Sequence, residues 1–409
     1  MFGPGFFITD CYNTLVRLLI EQSLINEALW QARVTSLYPT LERLGQESFF
    51  HLPQQAEVLT SVKELVQSKV NVKLKLLFLV GIGGSSEGAQ AIYEVWPPES
   101  DPHQPERPQI IFLEGLEPLL PAKLQKLLAR LNRLDELLIT VISLSGKTQE
   151  TLTNYELVLA AARARFGESL AINDRLVFIS RSSSPLALEA KKLGASFLPV
   201  AENIGGRYSL FSPAGLFPLA AAGLAVEDLC AGATEISEWL LAPDFSNPAL
   251  VLAALDYEHF EAGRSILVDW FDRPSLESLG KWGRQLVAES LGKNGDGPTP
   301  LVAVAENDRH SLLQLDLGGP DNKFFHFISS DRDLGDEKII RLKHRINEAV
   351  LQAYRRAHRP YLEIILPDLS LRSLGAYCQL RFAATVLMAN LLDVDPFNQP
   401  EVEAYKLSR

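Results

Sequence analysis

Leu74 to Val80 is a nearly continuous apolar run that ends in Gly81-Ile-Gly-Gly-Ser-Ser-Glu-Gly88, and helical spacing resumes over Ala89 to Val95. An apolar run this short, without polar alternation, suits a strand buried on both faces, and the glycines let it turn tightly into a helix that covers it. The strand signal recurs at Ile110 to Leu113, Leu137 to Ser143 and Arg175 to Ser180, separated by helical stretches at Pro121 to Leu131, Thr148 to Arg165 and Pro185 to Leu193. Between them, the Pro-rich Pro97 to Pro108 reads as a surface loop. This alternation predicts a doubly wound α/β domain built on a parallel sheet.

A second alternating set follows. Helical patterns over Glu227 to Leu241 and Pro248 to Gly263 lead into a strand at Arg264 to Trp270, a helix at Leu276 to Leu291 and strands at Leu301 to Ala305 and Lys323 to Ile328. A helix at Glu337 to Arg356, a strand at Tyr361 to Leu366 and a helix at Leu371 to Leu392 complete it. Ahead of both sets, Leu15, Leu18, Leu19, Leu24, Ile25, Ala28 and Leu29 stand at helical spacing and predict two helices before the first sheet. A chain of 409 residues is long enough for two or three cores. The expected division is an N-terminal helical segment 1–50, α/β domains 51–225 and 226–392, and a C-terminal segment 393–409. Tandem domains of this kind bind ligands where the carboxyl ends of their strands meet.

Charge and cysteine usage narrow the function. A net charge of -11 argues against broad nucleic-acid binding, which needs basic surface, and leaves room for a local pocket that takes one small anion. Cys11, Cys230 and Cys378 are far apart and lack Cys-x-x-Cys spacing, so neither a disulfide framework nor a zinc knuckle is indicated and a reducing cytoplasm suits them. The longest apolar run, Pro213 to Val226, is broken by prolines and glycines and is too short to cross a bilayer. Met1 to Asp10 lacks the basic start and small-residue cleavage site of a signal peptide.

Several stretches could carry chemistry. The glycine turn does not fit a dinucleotide fingerprint, because Ser86 stands where the third glycine belongs. It could instead offer N–H and hydroxyl groups of Gly83, Gly84 and Ser85 to a small ligand, or simply let strand and helix pack closely. Ser145-Gly-Lys-Thr148 imitates the end of a P-loop, yet Val141 replaces the first glycine of that motif. What remains is Ser143, Ser145, Thr148 and Thr151 with Lys147 around a helix N-terminus, a setting that suits a phosphate monoester; helix capping by Ser145 or Thr148 is the competing reading. Gly205-Gly-Arg-Tyr-Ser209 sets Arg207 between a flexible turn and an apolar helix, as a fixed cation for developing oxyanion charge or as a salt-bridged linker residue. Glu289 ends an apolar helical run and His310 follows a short strand, 21 residues on. A carboxylate among apolar residues and an imidazole can together move protons near neutral pH, although a solvated pair flanking a loop would look the same. Lys406 lies three residues from the last, where a lysine is usually solvated.

Taken together, five motifs resemble the glucose-6-phosphate isomerase (phosphoglucose isomerase) family, particularly its bacterial branch. They are Gly-Ile-Gly-Gly-Ser at 81–85, Ser-x-Ser-Gly-x-Thr at 143–148, Gly-Gly-Arg-Tyr-Ser at 205–209, Glu-Ser-x-Gly-Lys at 289–293 with His-Ser at 310, and Pro-Phe-Asn-Gln-Pro-x-Val-Glu-x-x-Lys at 396–406. The resemblance runs from about Leu74 onward and implies two sugar-isomerase (SIS) α/β domains with helical additions. It implies that Glu289 shuttles a proton between C2 and C1 through a cis-enediol, that Arg207 stabilises the enediolate and that His310 and Lys406 serve ring opening and closure. Ser143, Ser145, Lys147, Thr148 and Thr151 would hold the 6-phosphate, with Gly83, Gly84 and Ser85 lining the sugar. No metal or redox cofactor is needed for such chemistry. A phosphorylated hexose as substrate, a homodimer with shared active sites, a cytoplasmic location and no nucleic-acid or membrane partner are the further implications.

The chain also departs from the family pattern. Leu144 stands where the family usually has lysine and Lys147 where it usually has threonine, which would move the cation beside the phosphate. Glu401 replaces a glycine, and relatives continue into a further helix past the position of Arg409. Two other readings stay open: a dual phosphoglucose/phosphomannose isomerase, and a non-catalytic SIS-type phosphosugar-binding regulator that would keep the 143–151 turn but need neither Glu289 nor His310.

Overall fold

The computed structural model describes residues 6–9, 15–21, 27–96, 107–167 and 170–407; Cys11 and most of the Pro-rich loop lie outside them. The chain divides into two units, Leu52–Glu227, and Met1–His51 together with Asp228–Arg409.

The unit formed by Leu52–Glu227 holds a five-stranded sheet built from β3 (Leu76–Val80), β4 (Gln109–Leu113), β5 (Leu137–Ile142), β6 (Leu176–Arg181) and β7 (Ser196–Val200). All neighbours are parallel, in the order β4-β3-β5-β6-β7. Every residue of β3 and β5 is buried, which explains the unbroken apolar sequence of β3 and the single polar residue, Thr140, of β5. On one face Phe78, Val80, Ile139 and Val141 pack against Leu124 and Leu128 of helix Leu120–Leu128 and against Val158 and Ala162 of helix Gln149–Phe166. The strand β7 was not expected from the sequence. It carries Pro199, which a sheet accepts at an edge, and β7 is an edge. From β3 the chain passes to β4 on one side and then crosses back to β5 on the other. The turns after β3 and β5 therefore sit at the topological switch point, where open parallel sheets bind ligands.

Asp228–Arg409 and the N-terminal residues build a six-stranded sheet, ordered β1-β2-β11-β10-β8-β9 among the described residues. The strands β8 (Ile266–Phe271), β9 (Thr299–Val304), β10 (Lys323–Ser330) and β11 (Tyr361–Leu366) run parallel, while β1 (Phe6–Thr9) and β2 (Arg17–Glu21) add an antiparallel hairpin beyond β11. This corrects the helical expectation for Leu15, Leu18 and Leu19: Leu18 and Leu19 lie on β2 and Leu15 just before it, Leu24 and Ile25 lie outside the described residues, and the first helices among those described are Glu27–Ser36 and Tyr38–Leu44. Leu18, Leu19 and Ile20 are all buried, and a short run buried on both faces mimics helical spacing. Helix Leu371–Leu391 is buried along most of its length and packs on helices Pro248–Glu261 and Glu277–Leu291.

A charge network crosses this core. His326 on β10 pairs in register with Asp269 on β8; its Nδ1 is 2.9 Å from Asp269 Oδ1 and its Nε2 2.8 Å from Asp256 Oδ1. Arg381, on the long buried helix, donates to both oxygens of Asp269 at 3.3 and 3.1 Å. Burial alone would lower the imidazole pKa, but the charges and hydrogen bonds of Asp256 and Asp269 override it and the pKa is raised. Two carboxylate contacts at donor distance fit an imidazolium donating from both nitrogens, and Asp269 offsets the Arg381 Nη1 that lies 3.2 Å from Nδ1. No helix of the described residues is long and apolar enough to cross a membrane.

Candidate active site

The turn after β3 is shaped by its glycines. Gly83 has φ +59°, a left-handed conformation that favours glycine, and Gly84 lies against a second turn: a Cβ there would meet Gly206 C at 2.3 Å and Arg207 N at 2.6 Å. The Ser209 hydroxyl reaches the carbonyls of Gly206, at 2.7 Å, and Gly84, at 3.0 Å, and so ties the two turns. Gly83, Gly84, Ser85 and Arg207 are thereby brought together from stretches more than a hundred residues apart. Arg207 is 5% exposed, with its guanidinium carbon 5.5 Å from the centre of the buried Tyr208 ring. A cation so placed is held by packing.

The turn after β5 gathers its hydroxyls at the start of helix Gln149–Phe166. Ser143 Oγ lies 3.0 Å from Thr148 Oγ1 and accepts the Gly146 N–H at 3.2 Å, while Ser145 Oγ accepts the Lys147 N–H at 3.3 Å. Gly146 makes the reversal with φ +66°. Thr148 occupies the N-cap position without a side-chain capping bond, so the first N–H groups of the helix keep their positive end for an anion. Thr151, in the first turn, is buried and its hydroxyl has no hydrogen-bond partner. Leu144 is buried, whereas Ser145 and Lys147 are exposed. Sequence reasoning missed Ser180 and Ser184 behind this turn. The Ser180 hydroxyl donates to the Ser143 carbonyl at 2.6 Å and lies 2.6 Å from Ser184 Oγ, which caps helix Pro185–Leu193. Two serines on a strand end and a helix cap carry no functional signal in sequence.

Glu289 lies in the last turn of helix Glu277–Leu291, half-buried, and Gln285 one turn earlier donates to its Oε1 at 2.8 Å. The i, i+4 spacing of Gln285 and Glu289 is the signal that would have marked the glutamine. Lys293 is buried. Its ammonium donates to the Ser290 carbonyl at 2.7 Å and to the Asp395 carbonyl, and so fastens the end of the Glu289 helix to the segment that leads to helix Pro400–Leu407. Lys406 lies on that last helix, and its side chain is outside the described ones. His310 is exposed on the short helix Asn307–Ser311 after β9.

One unit offers an anion-ready helix N-terminus at a switch point and a fixed arginine, and the other offers a helix-end carboxylate and an exposed imidazole, groups of the kind that acid–base enzymes for small anionic substrates use. The sequence pattern of the family described as phosphoglucose isomerase matches residues 54–306. A glucose-6-phosphate isomerase of Rubrobacter xylanophilus is 32% identical over 88% of this chain and 87% of its own length, and one of Methanocaldococcus jannaschii is 31% identical over 80% and 82%. A crystal structure of a glucose-6-phosphate isomerase from Chlamydia trachomatis shares the fold, with a TM-score of 0.81 over 98% of this chain and 92% of that one at 20% identity. The chain belongs to the phosphoglucose isomerase family.

Proposed function

We propose that the protein interconverts glucose 6-phosphate and fructose 6-phosphate through a cis-enediol, as an enzyme of glycolysis and gluconeogenesis. The observation that carries this reading is the family match over residues 54–306, which spans both ligand turns, Arg207 and Glu289. A binding-only regulator would need the turns but no base.

In this reading the phosphate rests on the hydroxyls of Ser143, Ser145, Thr148 and Thr151 and on the helix N–H groups, with Lys147 supplying charge that Leu144 cannot. Gly83, Gly84 and Ser85 line the sugar. His310 and Lys406 open the ring by moving a proton between the C1 hydroxyl and the ring oxygen. Glu289 then takes the proton from C2, the electron pair forms the C1–C2 double bond and the C1 oxygen becomes an oxyanion beside Arg207. Return of the proton from Glu289 to C1, with passage of the O2 proton to the C1 oxyanion, leaves the C2 ketone and C1 hydroxyl of fructose 6-phosphate.

The family resemblance also supports a two-fold dimer with shared sites, in which His310 serves the partner's site while Glu289, Arg207 and Lys406 stay in their own. The exposure of His310 suits that role. The cysteine spacing favours the cytoplasm. The test is a coupled assay on purified protein, run with fructose 6-phosphate and with mannose 6-phosphate. Formation of glucose 6-phosphate from the first supports the isomerase and its absence refutes it; turnover of the second would extend the specificity to the C2 epimer.

A further inference from the structure

The helix that presents His310 is only Asn307–Ser311, too short to hold itself by its own hydrogen bonds. Its orientation depends on tethers. Asp308 Oδ2 accepts the Val304 N–H at 2.7 Å, which fixes the entry to the helix, and Leu312 and Leu313 just beyond it pack against the apolar cluster of Trp270, Phe325 and Tyr354. A further tether is Arg309. Its Nη2 donates to the Asn347 side-chain oxygen on helix Glu337–Arg356, and its Nη1 stands 3.9 Å from Glu306 and makes no hydrogen bond. The Arg309 side chain is 11% exposed and lines a cleft of about 60 Å³ with Trp270, Phe271, Asn347, Val350 and Leu351. Consecutive side chains on an α-helix diverge by about 100°, so pinning Arg309 inward turns its neighbour His310 outward.

We propose that Arg309 is a positioning residue for the isomerase reaction: anchored on Asn347, it sets the direction in which His310 is presented for ring opening. The inference rests on the isomerase reading and on the role given there to His310. Neither Arg309 nor Asn347 touches substrate in this account. Replacing Arg309 leaves the imidazole chemically intact but free to take other directions, which lowers the fraction of encounters with a correctly placed proton donor.

The experiment measures kcat and KM for fructose 6-phosphate in the parent, Arg309→Met, Asn347→Leu and His310→Ala, and in each of the first two combined with His310→Ala. Arg309→Met and Asn347→Leu are expected to lower kcat by about 10-fold with KM within about twofold, and to cost less than about twofold more once His310 is absent. Arg309→Lys, which cannot reproduce the guanidinium geometry, should recover only part of the loss. Equal losses with and without His310 would show a merely structural residue and overturn the proposal, as would parent-like kcat in both single variants. Asn347→Leu keeps the question open to refutation if Arg309→Met does not fold. Parent-like turnover in His310→Ala would overturn the role of His310 and this inference with it. An inactive parent would refute the isomerase reading itself, a result separate from any effect at Arg309.

Discussion

Gly84→Ala tests whether the contact between the two ligand turns positions Arg207. The added Cβ would lie 2.3 Å from Gly206 C and 2.6 Å from both Gly206 O and Arg207 N, all backbone atoms. Ordinary carbon contacts lie near 3.5–4.0 Å, so the turns must part by about 1 Å. Neither can yield by a rotamer change, because the obstruction is main chain on both sides and Ser209 ties it across. Overpacking of this kind costs about 1–3 kcal/mol of stability, and displacing a charge-stabilising group by about 1 Å costs about 100-fold in rate. The assay pairs urea unfolding with steady-state kinetics, using Gly115→Ala as control because a Cβ there meets nothing within 4 Å. The control should stay within about 0.5 kcal/mol of the parent. A Gly84→Ala protein with parent-like unfolding and parent-like kcat would refute the argument that this close approach sets Arg207.

Thr148→Ala and Lys147→Ala should each weaken fructose 6-phosphate binding, by about 1–3 kcal/mol for a lost charge-assisted hydrogen bond, with inorganic phosphate competing in titrations; parent-like binding in both would place the phosphate elsewhere. An equal mixture of inactive Glu289→Gln and His310→Ala, unfolded and refolded together, should regain about a quarter of its sites if sites are shared between two chains, and nothing if each site is built from one chain. His326→Gln leaves Asp256 and Asp269 without their shared cation and should destabilise the fold by about 3–5 kcal/mol in urea. Because the folded pKa of His326 is raised, its stabilisation is complete below the unfolded value of about 6.5 and fades as pH rises through the folded value; a parent whose stability shows no such decline, or that matches His326→Gln, would contradict the assignment.

The parallel strands were legible because burial on both faces leaves a nearly continuous apolar run, unbroken in Leu76–Val80 and interrupted only by Thr140 in Leu137–Ile142, and turn glycines follow it. Helices Glu337–Arg356 and Pro185–Leu193 were equally plain from spacing, and the structure adds Asp336 and Ser184 as their caps. Arg17–Glu21 was misread because a buried edge hairpin and an apolar helix share the same short pattern, and the partner β11 that decides between them is more than three hundred residues away. Pro199 concealed β7 for a local reason: it removes a donor from what becomes an edge. Within the candidate site, local sequence named the turns and Glu289, but not the contacts that hold them. Ser209 reaching Gly84, Lys293 reaching Asp395 and Arg309 reaching Asn347 are contacts of tertiary structure, and nothing in their own neighbourhoods announces them.

The central claim, that Glu289 is the proton-transfer base of an aldose-ketose isomerase, is tested most directly by turnover of Glu289→Gln beside its binding of fructose 6-phosphate. The substitution keeps the shape and the neighbour Gln285 but removes basicity. Turnover should fall by about 10²–10⁴-fold while fructose 6-phosphate still binds within a fewfold of the parent. A variant that isomerises at near the parent rate would contradict the account.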